Sequence, residues 1–326
     1  MAGRQMSADL RRDAAPDAAA ADFDFDGRVA IVTGAGQGMG REHALMLASR
    51  GARVVVNDLN AANAEQVVAE ITARGGVAAV DTNNVVSGAE HIVATAVQSY
   101  GRLDIVVNNA GINAFGRFWE MDSALWWRIF DVAVKGVVEV SRAAMPHLIA
   151  SGSGRLINIS SNGVMGVPLD SAYNAAKAAI WGLGLTLAEE AREVGVQVTT
   201  LMPVAWTPMT ENAFPNPVIQ DAMRRTVPAS AVSAFVAFLA HQDTTVFGDT
   251  FEIAGTAAGR IAISGRPRVR VEAPTPESWA RHSEDLGVGG ELRAFRNASE
   301  SFRDQMVFLA PELDAVLPAD AADVSR

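Results

Sequence analysis

The sequence predicts an α/β fold: a doubly wound parallel sheet, covered by helices on both faces, in a single domain. Three observations lead there. Short β-branched runs alternate with helical stretches from Arg28 to about Ile253, at the spacing of a parallel sheet. The first run leads directly into the glycine-rich turn Thr33-Gly34-Ala35-Gly36-Gln37-Gly38-Met39-Gly40 and a helix start. The 326 residues are 49% hydrophobic with 28 glycines, enough for one large core and unlike a disordered chain.

Taken in order, Arg28–Val32 reads as the first strand, and the glycine turn opens a helix that runs to Arg50. Glycines let a backbone approach a pyrophosphate, and free N–H groups with the helix dipole hold its charge. A merely tight turn is the plainer reading, disfavoured by four glycines in seven residues after a strand. Arg53–Asp58 is the second strand, ending in an acid about 20 residues past the turn. A carboxylate there accepts hydrogen bonds from a ribose 2′-OH and repels a 2′-phosphate. With no Arg or Lys at Ala35, Gly36 or Gln37, and Leu59 following, NAD is expected over NADP. The competing role for Asp58 is a helix N-cap.

Helices are expected over Ala61–Arg74, Ser87–Tyr100, Asp122–Ile149 (broken or kinked near Pro146), Ser171–Val194 and Ala229–Leu239. Strands are expected over Val77–Val80, Leu103–Val107, Arg155–Ile159 and Val196–Leu201, with Thr250–Ile253 the last. Asp58, Asp81, Asn108 and Ser161 fall at or just after strand ends, so one crevice should receive them all. The domain is bounded at residues 23–255. Residues 204–227, with Trp206, Met209, Phe214 and Met223 in or beside them, read as a substrate lid, and a surface loop is the alternative. Residues 1–22 read as a mobile tail. Residues 256–326 read as a C-terminal extension with polar helices over Pro276–Leu286 and Glu291–Leu309, packing on the core or on a neighbouring subunit.

The net charge of −10, without a basic stripe, argues against a nucleic-acid binder. No cysteine is present, which removes disulfides, thiolate zinc sites and cysteine nucleophiles and fits a reducing cytosol, the expected location. No metal is called for. No apolar run approaches the roughly 18–20 residues that span a bilayer.

The chemistry centres on Tyr173-Asn174-Ala175-Ala176-Lys177. A four-residue step puts Tyr173 and Lys177 on one helical face, where an ammonium favours a phenolate and draws the phenol's pKa from about 10 toward neutrality. An ordinary helix carrying one Tyr and one Lys is the bland alternative. Lys135 and Lys177 are the only lysines among abundant arginines, which singles out Lys177 as a place for a compact point charge.

Together the Thr33–Gly40 loop, Asp58, Asp81, Asn108-Asn109-Ala110-Gly111, Ser161 and the Tyr173/Lys177 pair resemble the single-domain branch of the short-chain dehydrogenase/reductases, over Gly27 to about Ile253. Phe25–Val29, His43–Leu45, Val55–Asp58 and Pro203–Thr210 are most similar to the dehydrogenase part of peroxisomal multifunctional enzymes and bacterial relatives. The resemblance implies a Rossmann-type sheet and hydride transfer between NAD and a secondary alcohol or ketone. It assigns Tyr173 as acid/base, Ser161 to the substrate oxygen, and Lys177 to the nicotinamide ribose and the phenol's pKa. It also implies cofactor contacts from Gly34, Gln37, Gly38, Met39, Gly40, Asp58 and Leu59. Asp81 and Thr82 would meet the adenine, Asn108, Ala110 and Gly111 the adenosine ribose side, and Pro203, Ala205 and Thr207 the carboxamide and phosphate.

Three departures stand out. Ala133 replaces the asparagine usual in the long helix. Ser161 is one residue closer to Tyr173 than is typical, with Ser160 in reserve. Val204 replaces the glycine of a common Pro-Gly pair. The substrate is expected to be a hydrophobic alcohol or ketone, since Trp119, Trp126, Trp127 and Trp206 either line a pocket or fill cores. A homotetramer or dimer built through Asp122–Ile149 and Ser171–Val194 is implied. The alternative class is an NAD-binding sensor or scaffold without turnover, motivated by Ala133. Nothing in the chain supports a separate hydratase module.

Overall fold

In the computed structural model, the residues described are 23–213, 216–246, 248–286, 290–295 and 298–315. The expected N-terminal tail and Phe214 lie outside them. Strands β1 (Val29–Thr33), β2 (Arg53–Asn57), β3 (Val77–Asp81), β4 (Ile105–Asn108), β5 (Arg155–Ile159), β6 (Gln197–Val204) and β7 (Thr250–Ala254) pair in parallel, in the order β3-β2-β1-β4-β5-β6-β7. The order reverses between β1 and β4, which opens a crevice at their carboxyl ends. One strand more than the sequence reading allowed, β8 (Ala257–Ile261), pairs antiparallel to β7. An antiparallel edge needs only a tight turn, and Gly255, at φ 57°, supplies it.

Alternation along the strands splits the core into two layers. Ala30, Val32, Val54, Val56, Ile105 and Val107 meet helices α1 (Gly38–Ser49), α2 (Ala61–Ala73) and α9 (Ala229–Ala240) through Leu47, Ile71 and Val236. Val29, Ile31, Val55 and Val106 turn the other way, toward Ile92 of α3 (Ala89–Tyr100), Leu148 of α5 (Gly136–Ala150) and Ala188 of α6 (Ser171–Arg192). Each fully buried Val, Leu or Ile is worth roughly 1.5–3 kcal/mol, so a one-residue slip in any central strand would be heavily penalised.

The long helix expected over Asp122–Ile149 is interrupted in a different place. It comprises α4 (Ser123–Phe130), a π-helical turn over Asp131–Lys135, and α5. Pro146 sits inside α5 without ending it, because it is exposed and water can serve the carbonyl its missing N–H leaves free. The π turn instead buries Ala133 completely against Val137, Ala176 and Ile180. The 204–227 segment is more ordered than a loop: β6 runs to Val204, followed by α7 (Pro208–Ala213) and α8 (Pro217–Thr226). Beyond the sheet, β9 (Ile263–Gly265) pairs antiparallel to β10 (Arg293–Phe295), with α10 (Pro276–Arg281) and α11 (Ala298–Leu309) alongside. The expected helix over Glu291–Leu309 is therefore a strand followed by a shorter helix.

Candidate active site

The glycine turn is built by close approach. A Cβ on Gly40 would lie 2.2 Å from the Gly34 carbonyl oxygen, and one on Gly36 would lie 2.8 Å from the Asp58 carboxyl carbon. Side chains would wedge these contacts apart. Gly34 and Gly38 hold positive φ angles of 62° and 57°. Gln37 caps α1 without any side-chain hydrogen bond, and the first turn carries no acid. The N–H groups of that turn are thus left for an anionic ligand. A Cβ on Gly38 would lie 3.8 Å from Thr207, so the turn faces Thr207 with room for no more than van der Waals contact beyond a Cβ. These features fit a pyrophosphate.

Asp58 ends the second strand beside this turn. Its Oδ2 accepts from Gly36 N–H at 2.9 Å, and its Oδ1 from Asn60 N–H at 2.9 Å. It is not the cap of α2, because Asn60 holds that position and accepts from Asn63 N–H. Leu59 is exposed. Asp81 is buried and saturated: its carboxylate accepts from Asn57 Nδ2, Asn83 N–H, Asn83 Nδ2 and Thr95 Oγ1 at 2.7–3.0 Å. Thr82 beside it is exposed. Asn108 is also buried, donating to Ser141 Oγ and Asn158 Oδ1, so its side chain braces β4 against β5.

Two residues outside the expected set hold the turns together. Thr33 Oγ1 accepts from the N–H groups of Asn109 and Ala110, while Asn109 Nδ2 donates to the carbonyls of Thr33 and Gly34. Asn109 lies inside the Asn108–Gly111 motif, so a sequence signal for it existed. Thr33 likewise opens the Thr33–Gly40 loop, so its signal was that motif's.

The reactive end lies across the crevice. Tyr173 stands in the first turn of α6 and Lys177 one turn later, buried. Lys177 Nζ is 5.4 Å from the Tyr173 ring centroid and donates to the Ile159 carbonyl at 2.7 Å. A Cβ on Gly111 would be 3.8 Å from Nζ, which brings the turn after β4 against the lysine. Of the two serines, Ser160 is buried with its hydroxyl donating to the Lys177 carbonyl at 2.8 Å. Ser161 is partly exposed, accepts from Gly163 N–H at 3.0 Å, and lies near enough to the Tyr173 phenol to lower its pKa. Ser161, not Ser160, is thus the serine whose hydroxyl acts on the phenol.

The expected depression of the phenol's pKa is not present. Burial pushes Tyr173 up to about 12, the Ser161 hydrogen bond pulls it down, and the charge of Asp170 raises it further. Burial likewise lowers Lys177 to about 8. The ammonium is engaged by the Ile159 carbonyl, and desolvation of the phenolate dominates. Pro203 lies in the last stretch of pairing of β6 and Ala205 just after it, and Ala205 is buried. The Thr207 backbone N–H donates to Thr210 Oγ1 at 2.8 Å. Trp206 lies under the Arg224 guanidinium at 4.8 Å, and Arg224 also pairs with Glu211 at 3.0 Å, so the two helices after β6 are clasped. Trp126 stacks on Phe130 and donates to Ser171 Oγ at 3.2 Å, while Trp119 and Trp127 are exposed.

A short chain dehydrogenase family pattern matches residues 28–217, more than half of the chain and the part that holds the glycine turn, Asp58, Ser161, Tyr173 and Lys177. The protein belongs to the short-chain dehydrogenases. It is 36% identical over 273 residues to peroxisomal multifunctional enzyme A of Dictyostelium discoideum, covering 79% of this chain and 60% of that protein. It spans less than two thirds of the length of that multifunctional relative, and less still of the yeast, mouse and fly ones. Among solved structures it is similar to a short chain dehydrogenase from Mycobacterium avium (TM-score 0.72, 35% identity, 80% of this chain and 94% of that one). It is also similar to a 7α-hydroxysteroid dehydrogenase complexed with NADH and 7-oxo glycochenodeoxycholic acid (TM-score 0.67, 28% identity, 72% and 96%). As a member of this family the chain is an oxidoreductase with a Rossmann-type sheet. Among the described residues no helix is long and apolar enough to cross a membrane.

Proposed function

We propose that this short-chain dehydrogenase uses NAD to interconvert a hydrophobic secondary alcohol and its ketone, with Tyr173 as general acid/base. The observation that carries the reading is the meeting of Ser161, Tyr173 and Lys177 across one crevice from an uncapped glycine turn with a carboxylate beside it. The bound dinucleotide supplies the hydride acceptor or donor. The chain's residues do the rest. The open N–H groups of α1 hold the pyrophosphate, and Asp58 accepts from the adenosine ribose hydroxyls and rejects a 2′-phosphate. Ser161 donates to the substrate oxygen as charge develops on it. Tyr173, with a pKa near 12, keeps its proton at neutral pH and is prepared to donate it to a ketone oxygen. For alcohol oxidation the Lys177 ammonium must turn from the Ile159 carbonyl toward the phenol oxygen.

Association into a dimer or tetramer through α4, α5 and α6, and a cytoplasmic location, belong to the same proposal. So does a lid role for the clasped helices α7 and α8. The test is an NAD-coupled screen of secondary alcohols, with NADP in parallel. NADH formation with at least one hydrophobic alcohol is expected. Clear NAD binding without any NADH formation would favour the sensor or scaffold reading.

A further inference from the structure

The loop after β5 carries Ser161, and its shape is set by contacts that no motif names. Ser161 caps the 3₁₀ turn Asn162–Met165, and its Oγ accepts from Gly163 N–H at 3.0 Å. A hydroxyl offers one proton and two acceptor sites. A partner that is itself a donor takes an acceptor site and leaves the Ser161 proton for another oxygen. It also polarises the hydroxyl, which strengthens that donation. The loop ends at Leu169, whose carbonyl accepts from Gly116 N–H at 2.8 Å. Its φ of 69° is the one positive value on a non-glycine among the described residues. Strain of this kind persists only where the surroundings enforce it.

Between these two points the loop rests on Asn174, the residue after Tyr173 in α6. Its Nδ2 donates to the Val167 carbonyl at 3.1 Å. Only the NH2 end of an amide can face a carbonyl, which fixes the other end as oxygen. That Oδ1 is set against Gly163. A Cβ at 163 would lie 2.4 Å from it and 3.3 Å from Ser161 Oγ. A side chain there would push the amide off, and its absence lets the amide close on the backbone that holds the serine. One amide thus spans the segment from Gly163 to Val167. It springs from the residue next to the phenol, so the turn that orients Ser161 and the helix that carries Tyr173 share one support.

We propose that Asn174 is a positioning residue for Ser161: clamped on Gly163 and Val167, it holds the Ser161 hydroxyl as a donor to the substrate oxygen. Asn174 itself touches no reacting atom. Its effect on turnover passes through the Gly163 N–H and therefore exists only while residue 161 has a hydroxyl. This rests on the dehydrogenase reading above and deepens it, adding the support of one of its three reacting groups.

The test measures NAD reduction with 1-tetralol, or with the best alcohol of the screen above if tetralol is not turned over. The proteins are wild type, Asn174→Ala, Ser161→Ala and the double variant. Ser161→Ala should lower kcat about 100-fold, the scale of losing a donor to developing charge. Asn174→Ala should lower kcat about tenfold, with KM and NAD affinity held within about twofold. Asn174→Asp keeps the shape but has no proton for Val167, so it should match Asn174→Ala. On the Ser161→Ala background, Asn174→Ala should cost less than about twofold more, because the group it serves is gone. Losses that multiply, or wild-type kcat in Asn174→Ala, would overturn the proposal and leave the dehydrogenase reading intact. Wild-type turnover in Ser161→Ala would remove Ser161 from the chemistry, and the proposal with it. Should Asn174→Ala fail to fold, Gly163→Ala, whose methyl displaces the amide, should give the same tenfold loss and the same dependence on Ser161. If no alcohol yields NADH, the dehydrogenase reading is in doubt, and the clamp is judged by hydrogen exchange of the NAD-loaded protein. Exchange over residues 163–167 about tenfold faster in Asn174→Ala supports it, and unchanged exchange sinks it.

Discussion

Lys177 is a buried amine whose effect on stability can be separated from its effect on chemistry. Its pKa falls from 10.5 to about 8 because burial penalises the ammonium. That difference corresponds to about 3 kcal/mol against the charged form in the folded state. Below about pH 8 both folded and unfolded chains carry the proton, so the full penalty is present. Between about pH 8 and 10.5 the folded chain releases its proton first, and stability rises with pH until the penalty is gone. Lys177→Met removes the titration but also leaves the Ile159 carbonyl without its donor, a loss of about 1–3 kcal/mol that does not vary over this window. The absolute stability change at neutral pH is therefore small and of either sign. The pH dependence is not. In urea titrations followed by fluorescence, the wild type should gain about 3 kcal/mol relative to Lys177→Met on going from neutral pH to about 10.5. Parallel curves for the two proteins would show that the amine is not held in the desolvated position described.

Two further outcomes follow from the site and its support. His43 is buried, with Nδ1 2.7 Å from Ser233 Oγ, and burial lowers its pKa to about 3. Its contribution is complete above the unfolded value near 6.5 and is lost as pH falls toward 3, about 4–5 kcal/mol in all, so His43→Gln should show shallower acid unfolding by circular dichroism. Asp58→Ala should reduce the preference for NAD over NADP by about tenfold or more, as read by binding titration of both nucleotides. Tighter NADP binding already in the wild type would show that the carboxylate serves only Gly36 and Asn60.

Much of the fold was legible because its signals are local. The alternation of Val29–Val32, Val54–Val56 and Ile105–Val107 between two helical layers is written in the residue types, and the glycine turn declares its own close approaches. Whatever depended on which way a side chain turned was not legible. Asp81 and Asn108 sit at strand ends as expected, but both are used up by neighbours distant in sequence, Thr95 and Asn158 among them. The choice of Ser161 over Ser160 follows from strand parity at β5, which points one hydroxyl inward to the Lys177 carbonyl and leaves the other near the phenol. The spacing of Tyr173 and Lys177 placed them on one face but could not reveal that the Ile159 carbonyl holds the ammonium.

The central claim is that the Tyr173 phenol moves the proton that accompanies hydride transfer. Tyr173→Phe keeps the ring against Lys177 and removes only the oxygen. With an alcohol that the wild type oxidises, initial rates of NADH formation should fall about 100-fold, the scale of losing a general acid/base, while NAD affinity is little changed. Turnover within a few-fold of wild type would contradict the account.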